Sequence, residues 1–393
     1  MQKRTSAKWL MLLLMLAAFS VTFMTRFVWS PVSGTVQELL GLSNTAAGAF
    51  MSAFFIGYVI TQIPGGVLAD RLGVKFVLSA GVLVTGLASV GMSFITTYTQ
   101  GFVVRIITGL GAGVVMACCT KVISEYFEQK DRGIAFGILL VGPTLGLTIA
   151  NKLGAYLLTS YNWQTAFRIT GYIAIAIAVL IFVAVRNARK AGSAEKVTLL
   201  SGIKAVFTTR NLLVICLAGF FYMFLNLGVS TWANSYLANI GFDTVTAASV
   251  MSIYSIGGII GFLVTGFIVK KFNLSTKFYL IGVYIALIIT TLLFGFQTNL
   301  TVLNIVGFIY GFVTYLPNAH LNAQITKYAP EGMSASVMGV QNCIFQLASI
   351  ISPALVGWTV DATGAFQTCW FTLAIVVAVG ILFLFMIKEE RGK

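Results

Sequence analysis

The strongest constraint on this chain is a series of apolar segments, each long enough to cross a lipid bilayer as a helix. A hydrocarbon core of roughly 30 Å is crossed by about 20 apolar residues. Twelve such segments lie near residues 9–30, 45–68, 76–95, 101–124, 134–158, 165–185, 212–239, 245–268, 278–296, 300–324, 335–359 and 366–387. Because a backbone in lipid must satisfy its own hydrogen bonds, they predict an all-α membrane protein with twelve transmembrane helices.

Composition and charge argue against a soluble protein and against a nucleic-acid partner. Hydrophobic residues make up 58% of the chain and charged residues only 9%, which is too apolar for the surface of a soluble domain. The net charge of +14 comes from 25 Lys and Arg, of which 20 lie at the termini or in alternate loops. The positive-inside rule assigns these loops and both termini to the cytoplasm. We therefore predict an integral protein of the inner or plasma membrane, in contact with lipid.

The chain also divides into two similar halves. A long polar stretch predicts a first six-helix bundle at 1–186, a cytoplasmic linker at 187–211 and a second bundle at 212–393. Residues 51–66 match residues 251–266 at Met, Ser, Ile, Gly, Ile and Gly positions when one is laid over the other at an offset of 200. Repeats of this kind are typical of transporters. The sequence therefore predicts two pseudo-symmetric bundles.

A loop after the second apolar segment carries a family signature. The string GYVITQIPGGVLADRLGVK, with Asp70, Arg71 and Lys75 in register, resembles the loop motif of the major facilitator superfamily. This resemblance implies the major facilitator fold. It also implies a gating role at the cytoplasmic face for these three residues, with a purely structural turn as the alternative.

A second resemblance begins in the first segment. The string TRFVWSPVSGTVQELLGLSNTAAGAFMSAFFIGY resembles the organic anion and cation symporter branch of that superfamily. It implies that Arg26 contacts the anionic group of a substrate. The string RIITGLGAG implies the same for Arg105. Relatives often carry a glutamate seven residues later, thought to hold the coupling proton, where this chain has Ala112.

The charges inside the predicted helices favour an anionic substrate, independently of any family resemblance. Arg26, Arg105, Lys121 and Lys152 lie inside predicted helices, whereas all eleven Asp and Glu lie near helix ends or in loops. Each cation costs roughly 2.5–3.5 kcal/mol at a helix centre, so a transported anion would supply the missing charge. Guanidinium forks suit carboxylates and phosphates, which makes Arg26 and Arg105 the main predicted contacts and Lys121 a lower one. The alternative is bonding to backbone carbonyls, and Lys152 and Arg168 are expected to reach the outer surface.

Polar residues of the second half complete the candidate site. His320 is the only histidine, and histidine changes charge near neutral pH, so we predict proton coupling through it, with simple packing as the alternative. Six other side chains are predicted to contact either substrate or neighbouring helices. They are Tyr222, Asn226, Asn318, Asn322, Asn342 and Gln346.

Together these features predict secondary active transport of a small organic anion, a carboxylate or sugar acid, by alternating access. Proton symport is preferred over anion exchange. The string GILLVGPTLG resembles the Gly-Pro motif of proton-driven antiporters and keeps exchange open.

Other classes of protein fit less well. A drug exporter would need an intramembrane acid, and a receptor or scaffold would need a soluble domain. The sequence has no metal cluster, no nucleophile with a base partner and no phosphate-cradling loop, so an enzyme, a metal and a cofactor are not expected. We expect a monomer.

Overall fold

The computed structural model describes residues 2–185, 199–272, 275–331 and 333–388. These residues form sixteen helices and no strand. The helices are α1 (Gln2–Phe27), α2 (Trp29–Leu40), α3 (Asn44–Leu72), α4 (Val74–Met92), α5 (Tyr98–Gly113), α6 (Val115–Tyr126), α7 (Gln129–Leu139), α8 (Gly142–Ser160), α9 (Trp163–Ala184), α10 (Leu199–Thr208), α11 (Arg210–Asn239), α12 (Thr244–Phe272), α13 (Thr276–Phe296), α14 (Leu300–Tyr328), α15 (Ser334–Thr363) and α16 (Gln367–Phe385). Twelve helical spans are long and apolar enough to cross a membrane. The predicted all-α fold with twelve spans is confirmed.

Three of the spans consist of two helices each, namely α1 with α2, α5 with α6, and α7 with α8. Proline explains two of these junctions. Pro31 has no N–H to donate to the carbonyl of Phe27, where α1 ends, and Pro143 has none for Leu139, where α7 ends. The first helix therefore ends one residue after Arg26, the main candidate for an anion contact.

The chain forms two compact units. One comprises Met1–Gly192 with Gly241–Ser252, and the other comprises Ser193–Ile240 with Ile253–Lys393. Residues 187–198 of the predicted linker lie outside the described residues. The next part of that linker forms α10, which packs against α15 within the second unit.

The two units pair their helices in the same way. The first unit packs α1 against α8 and α4 against α9, which are spans one with five and three with six. The second unit packs α11 against α15 and α13 against α16, which are the corresponding spans of the second half. This common pattern is what two pseudo-symmetric six-helix bundles require.

Two glycines at equivalent positions lie at close helix crossings. A Cβ on Gly57 of α3 would overlap the Ile106 carbonyl of α5, and a Cβ on Gly257 of α12 would overlap the Phe308 carbonyl of α14. Small residues permit such backbone approach in membrane proteins. These are the glycines that match at the offset of 200, so the repeat in the sequence is a repeat in packing. In the first unit the crossing holds α5, with Arg105, tightly against α3.

Candidate functional site

Arg26 lies in the last turn of α1 and is surrounded by aromatic rings from two helices. Five ring centroids lie 4.2–5.8 Å from its Cζ. The rings form what we call the aromatic cage, and they belong to Phe23, Phe27, Phe54, Phe55 and Tyr58. The negative faces of aromatic rings attract a guanidinium by about 0.5–2 kcal/mol each, but ring faces do not saturate its N–H groups. The cage therefore makes burial of the cation tolerable and leaves hydrogen-bonding capacity unused.

Arg26 is a buried cation that no described carboxylate neutralises. The residue is only 4% exposed, and its Nε is buried without a hydrogen-bond partner. Among the described residues no carboxylate forms an ion pair with it. A buried charge that is neither paired nor fully hydrogen-bonded is costly. A bound anion would supply both missing interactions.

Arg105, on α5, is almost fully buried and is satisfied by the backbone of two other helices. Its Nε donates to the Phe50 carbonyl at 3.2 Å. Its Nη1 donates to the Thr25 carbonyl at 3.3 Å and its Nη2 to the Arg26 carbonyl at 2.9 Å. Arg105 thus ties α5 to α3 and to the end of α1, which is the alternative that the sequence left open. A role as a second anion contact stays a prediction, and it would require some of these bonds to break.

Lys121, on α6, is paired with the acidic residue of the loop motif. Its Nζ lies 2.6 Å from Asp70 Oδ1 and donates to the Ala69 carbonyl at 3.2 Å. The expectation that the interior cations lack acidic partners is therefore wrong at Lys121, because Asp70 at the end of α3 reaches across to α6. This pair occupies both residues, so the substrate role of Lys121 and the gating role of Asp70 stay predictions.

The other two residues of the loop motif lie around the turn between α3 and α4. Gly73 adopts a positive φ of 92° there, a conformation that glycine permits. Arg71 is exposed in the last turn of α3. Lys75 lies in the first turn of α4, with its Nζ 4.5 Å from the ring centroid of Phe182. The structure thus joins only Asp70, of the three gating candidates, to an ion pair among the described residues.

In the second unit the predicted amide residues form two separate groups. Asn322 Nδ2 donates to Asn318 Oδ1 at 3.0 Å, and Gln341 Nε2 donates to Asn322 Oδ1 at 2.9 Å, which joins α14 to α15. On α15, Gln346 Nε2 donates to Asn342 Oδ1 at 3.4 Å, while the Gln346 Oε1 atom is buried without a partner. These neutral groups suit hydroxyls and other uncharged polar groups.

Tyr222 and Asn226 lie one turn apart on α11, as their spacing predicts. Tyr222 is buried, and its hydroxyl has no hydrogen-bond partner among the described residues. Asn226 is half-buried, and its backbone carbonyl accepts a hydrogen bond from Ser230 Oγ at 2.8 Å. The Tyr222 hydroxyl is therefore an available donor in the second unit.

His320 is not grouped with the amides. Its Nε2 lies 3.4 Å from the Thr265 carbonyl, and its ring centroid is 4.7 Å from that of Tyr279. His320 is two residues from Asn318 and two from Asn322, so it projects about 200° around α14 from that pair. The ring is thus packed against α12 and α13, as the alternative described. Its role in proton coupling stays a prediction.

Sequence reasoning did not identify the aromatic cage or Gln341. The signal for the cage is present in the printed sequence, since Phe23 and Phe27 flank Arg26 and the run from Phe54 to Tyr58 contains three aromatic residues. A cation among aromatic residues at helical spacing could have been read as a cation–π cluster. Gln341 offered no such signal, because its bond to Asn322 depends on how two helices are rotated.

A comparison with known families decides the class of the protein. The model described as Major Facilitator Superfamily matches residues 14–353. The chain belongs to the Major Facilitator Superfamily. It is therefore an integral membrane transporter and not an enzyme, and the resemblance noted from the loop motif is confirmed.

Several relatives within the superfamily carry names that concern organic acids. The chain is 27% identical to the hexuronate transporter of Bacillus subtilis (strain 168), over 91% of this chain and 89% of that protein. It is 25% identical to the gallate transporter of Pseudomonas putida, over 89% and 86%. It is 26% identical to the cis,cis-muconate transport protein of Acinetobacter baylyi (strain ATCC 33305 / BD413 / ADP1), over 91% and 89%.

Solved structures share the fold at low sequence identity. A bacterial homolog of the human lysosomal transporter Spinster, in an inward-facing and unoccupied conformation, matches with a TM-score of 0.85 and 15% identity over 96% of both chains. The D-xylose-proton symporter matches with a TM-score of 0.78 and 16% identity over 96% of both chains. These likenesses concern the fold alone.

The hydrogen bonds of Arg105 generate a testable prediction. We expect Arg105→Gln and Arg105→Lys to lower the melting temperature of the detergent-purified protein without any ligand. The physical reason is that each buried carbonyl left without a donor costs about 1–3 kcal/mol. Arg168→Gln is the matched control, because Arg168 Nε donates to Ser93 Oγ at 3.0 Å on a partly buried surface. Unchanged melting of Arg105→Gln together with lost ligand binding would instead make Arg105 a ligand contact.

Proposed function

We propose that this superfamily member is a secondary active transporter of a small organic anion, a carboxylate or sugar acid, working by alternating access. The observation that carries the proposal is Arg26, whose buried Nε has no partner and whose charge meets aromatic rings but no described carboxylate. A carboxylate accepts two parallel hydrogen bonds from a guanidinium and neutralises it at the same time. An arginine in this state favours an anionic ligand over a neutral or cationic one.

The aromatic cage supports a carboxylate in particular. Rings of Phe54 and Phe55 lie 4.5 Å and 4.8 Å from Arg26 Cζ and limit the water available to the cation. An anion entering this environment is held by a stronger electrostatic attraction than in water. The relatives named for hexuronate, gallate and cis,cis-muconate all concern carboxylates, and they support the same substrate class for this chain.

We propose the inner or plasma membrane as the location, with both termini in the cytoplasm and the monomer as the working unit. The orientation rests on the concentration of Lys and Arg at the termini and in alternate loops. The ion pair of Lys8 with Asp131, at 3.1 Å, joins the start of α1 to the start of α7, which is the same side of the first bundle. Gating by Asp70, Arg71 and Lys75 is proposed for that side.

The anion proposal is tested by ligand-induced thermal stabilisation of the purified protein. We expect D-glucuronate or benzoate to raise the melting temperature, because a ligand of the folded state stabilises it. Their uncharged counterparts, D-glucose and benzyl alcohol, should have no effect. Arg26→Gln should abolish the shift, and Arg26→Lys should restore only part of it, since an ammonium lacks the planar fork.

Arg168→Gln is the control for loss of one arginine from the first unit. It should respond to the acids as the wild type does. A full shift in Arg26→Gln would remove Arg26 from the site. Equal shifts from glucose and glucuronate would reject the anion as the ligand.

We further propose that transport is symport with a proton, with His320 as the carrier. The reason is chemical, because histidine is the side chain that titrates nearest to neutral pH and the position of the family glutamate is occupied by buried Ala112. Anion exchange is the second candidate. It is favoured by the packing of His320 against Tyr279 and the Thr265 carbonyl, away from the amide pair of α14.

His320→Gln separates the two modes in proteoliposomes. If His320 carries the proton, the variant should lose accumulation of labelled D-glucuronate driven by a pH gradient and keep counterflow between internal and external substrate. Tyr279→Phe keeps the ring beside His320 and is the matched control, which should retain acid stimulation. If acid stimulates uptake by His320→Gln as much as uptake by the wild type, His320 is not the proton carrier. A wild type with counterflow but no response to pH would establish exchange.

A further inference from the structure

The aromatic cage surrounds the place where a carboxylate would meet Arg26. Ring centroids of Phe23, Phe54 and Phe55 lie 4.2, 4.5 and 4.8 Å from the Arg26 Cζ, and the Nε of Arg26 is buried among them. In a forked pair the N···O distances are about 2.7–2.9 Å, so the carbon that bears the carboxylate lies roughly 5–6 Å from Cζ. Any acid that bonds this Nε therefore brings its carboxylate-bearing carbon next to the rings.

The cage offers this carbon an almost entirely apolar surface. Four of its five rings are phenylalanines, which have neither a hydrogen-bond donor nor an acceptor on the side chain. Phe54 and Phe55 are 0% and 1% exposed, so little water reaches their faces. Tyr58 contributes the single hydroxyl among the five rings, with its ring centroid 5.2 Å from the Arg26 Cζ.

The other polar groups close to Arg26 along the chain already have partners. Thr22 and Thr25 donate their hydroxyls to carbonyls of α1 itself, at 2.8 Å and 3.1 Å. The backbone carbonyls of Thr25 and Arg26 accept hydrogen bonds from Arg105, at 3.3 Å and 2.9 Å. A hydroxyl on the carboxylate-bearing carbon would lose its bonds to water on entering the cage and would find few replacements there. Such a loss weakens binding.

Organic acids differ at this one carbon. In sugar acids the carboxylate-bearing carbon also carries an oxygen, either as a hydroxyl or as the ring oxygen. In benzoate and other aromatic acids it carries none, and the planar ring can pack edge-to-face or offset against phenylalanine. The cage therefore distinguishes between two kinds of carboxylate that Arg26 alone would bind equally well.

We propose that this protein prefers acids whose carboxylate-bearing carbon is apolar, and hence aromatic acids over sugar acids. This preference rests on the proposed function, which it deepens by naming the class of carboxylate. A sugar acid uses the same arginine and binds more weakly. The selection acts at that one carbon, so hydroxyls farther along the substrate do not decide it.

The test uses pairs of acids that differ by one hydroxyl on the carboxylate-bearing carbon. Phenylacetate is compared with mandelate, and hexanoate with 2-hydroxyhexanoate, by binding titrations on the purified full chain. The second pair separates the effect of the hydroxyl from that of an aromatic ring. We expect the member without the hydroxyl to bind the wild type about tenfold or more tightly, which corresponds to about 1.4 kcal/mol. Benzoate should exceed D-glucuronate by a similar factor.

Variants that add a hydroxyl to the cage locate the source of the preference. Phe23→Tyr and Phe55→Tyr each place one there, and at least one of them should reduce the ratio within the pairs to about threefold or less. Phe23 is half-buried, so its variant has room for the added oxygen. Phe94→Tyr is the matched control, because the Phe94 ring centroid lies 5.1 Å from the Cζ of Arg168, outside the cage. It should keep the ratio of the wild type.

The outcomes separate this preference from the proposed function. A ratio near one in the wild type, or tighter binding of the 2-hydroxy acids, with binding lost in Arg26→Gln, would overturn the preference and leave the anion proposal standing. A wild-type ratio in both cage variants, each melting cooperatively without ligand, would overturn the role of the cage. If none of the acids binds the wild type, or if all bind Arg26→Gln fully, the anion proposal fails and the preference fails with it.

Discussion

The site depends on one interaction that the protein leaves incomplete, the charge of Arg26 among aromatic rings. Burial of a guanidinium is tolerable there because five rings face it at 4.2–5.8 Å. Its position is fixed by Arg105, which donates to the backbone carbonyls of Thr25 and Arg26. The two arginines thus have different surroundings, since Arg26 lies among aromatic rings and Arg105 is held by backbone carbonyls. Under the proposed function, an anion would complete the interactions of Arg26.

The two bundles repeat in packing but differ in charge. Glycines at positions 57 and 257 produce the same helix crossing in each half, so the scaffold is nearly symmetric. The interior cations Arg26, Arg105, Lys121 and Lys152 all belong to the first unit. The equivalent helices of the second unit carry neutral amides, together with a buried tyrosine hydroxyl that has no partner among the described residues. The two halves thus share their helix packing and differ in the charged and polar side chains of the candidate site.

The sequence predicted the architecture well because hydropathy and charge bias act over whole helices. The twelve apolar segments correspond to twelve helical spans. The glycines that match in the sequence, Gly57 and Gly257, lie at equivalent helix crossings. The partner of each buried cation was not predictable in the same way, because it depends on helix rotation within a packed bundle. Lys121 meets Asp70 at 2.6 Å although 51 residues separate them.

The same limit explains the other differences within the candidate site. Arg105 binds carbonyls, and a carbonyl has no signature in a sequence. His320 lies two residues from both Asn318 and Asn322, and helical geometry alone places it on another face of α14. That separation could have been derived from the sequence. The aromatic residues of the cage are visible in the sequence, but their convergence on Arg26 from α1 and α3 depends on how these helices pack.

The central claim is that an anionic ligand neutralises Arg26, and a cryo-EM map of the protein saturated with D-glucuronate tests it most directly. The account predicts carboxylate density within about 2.7–2.9 Å of the Arg26 guanidinium nitrogens, with the Arg105 bonds to α1 and α3 intact. Ligand density remote from Arg26, or an Arg26 paired with a protein carboxylate in that map, would contradict it.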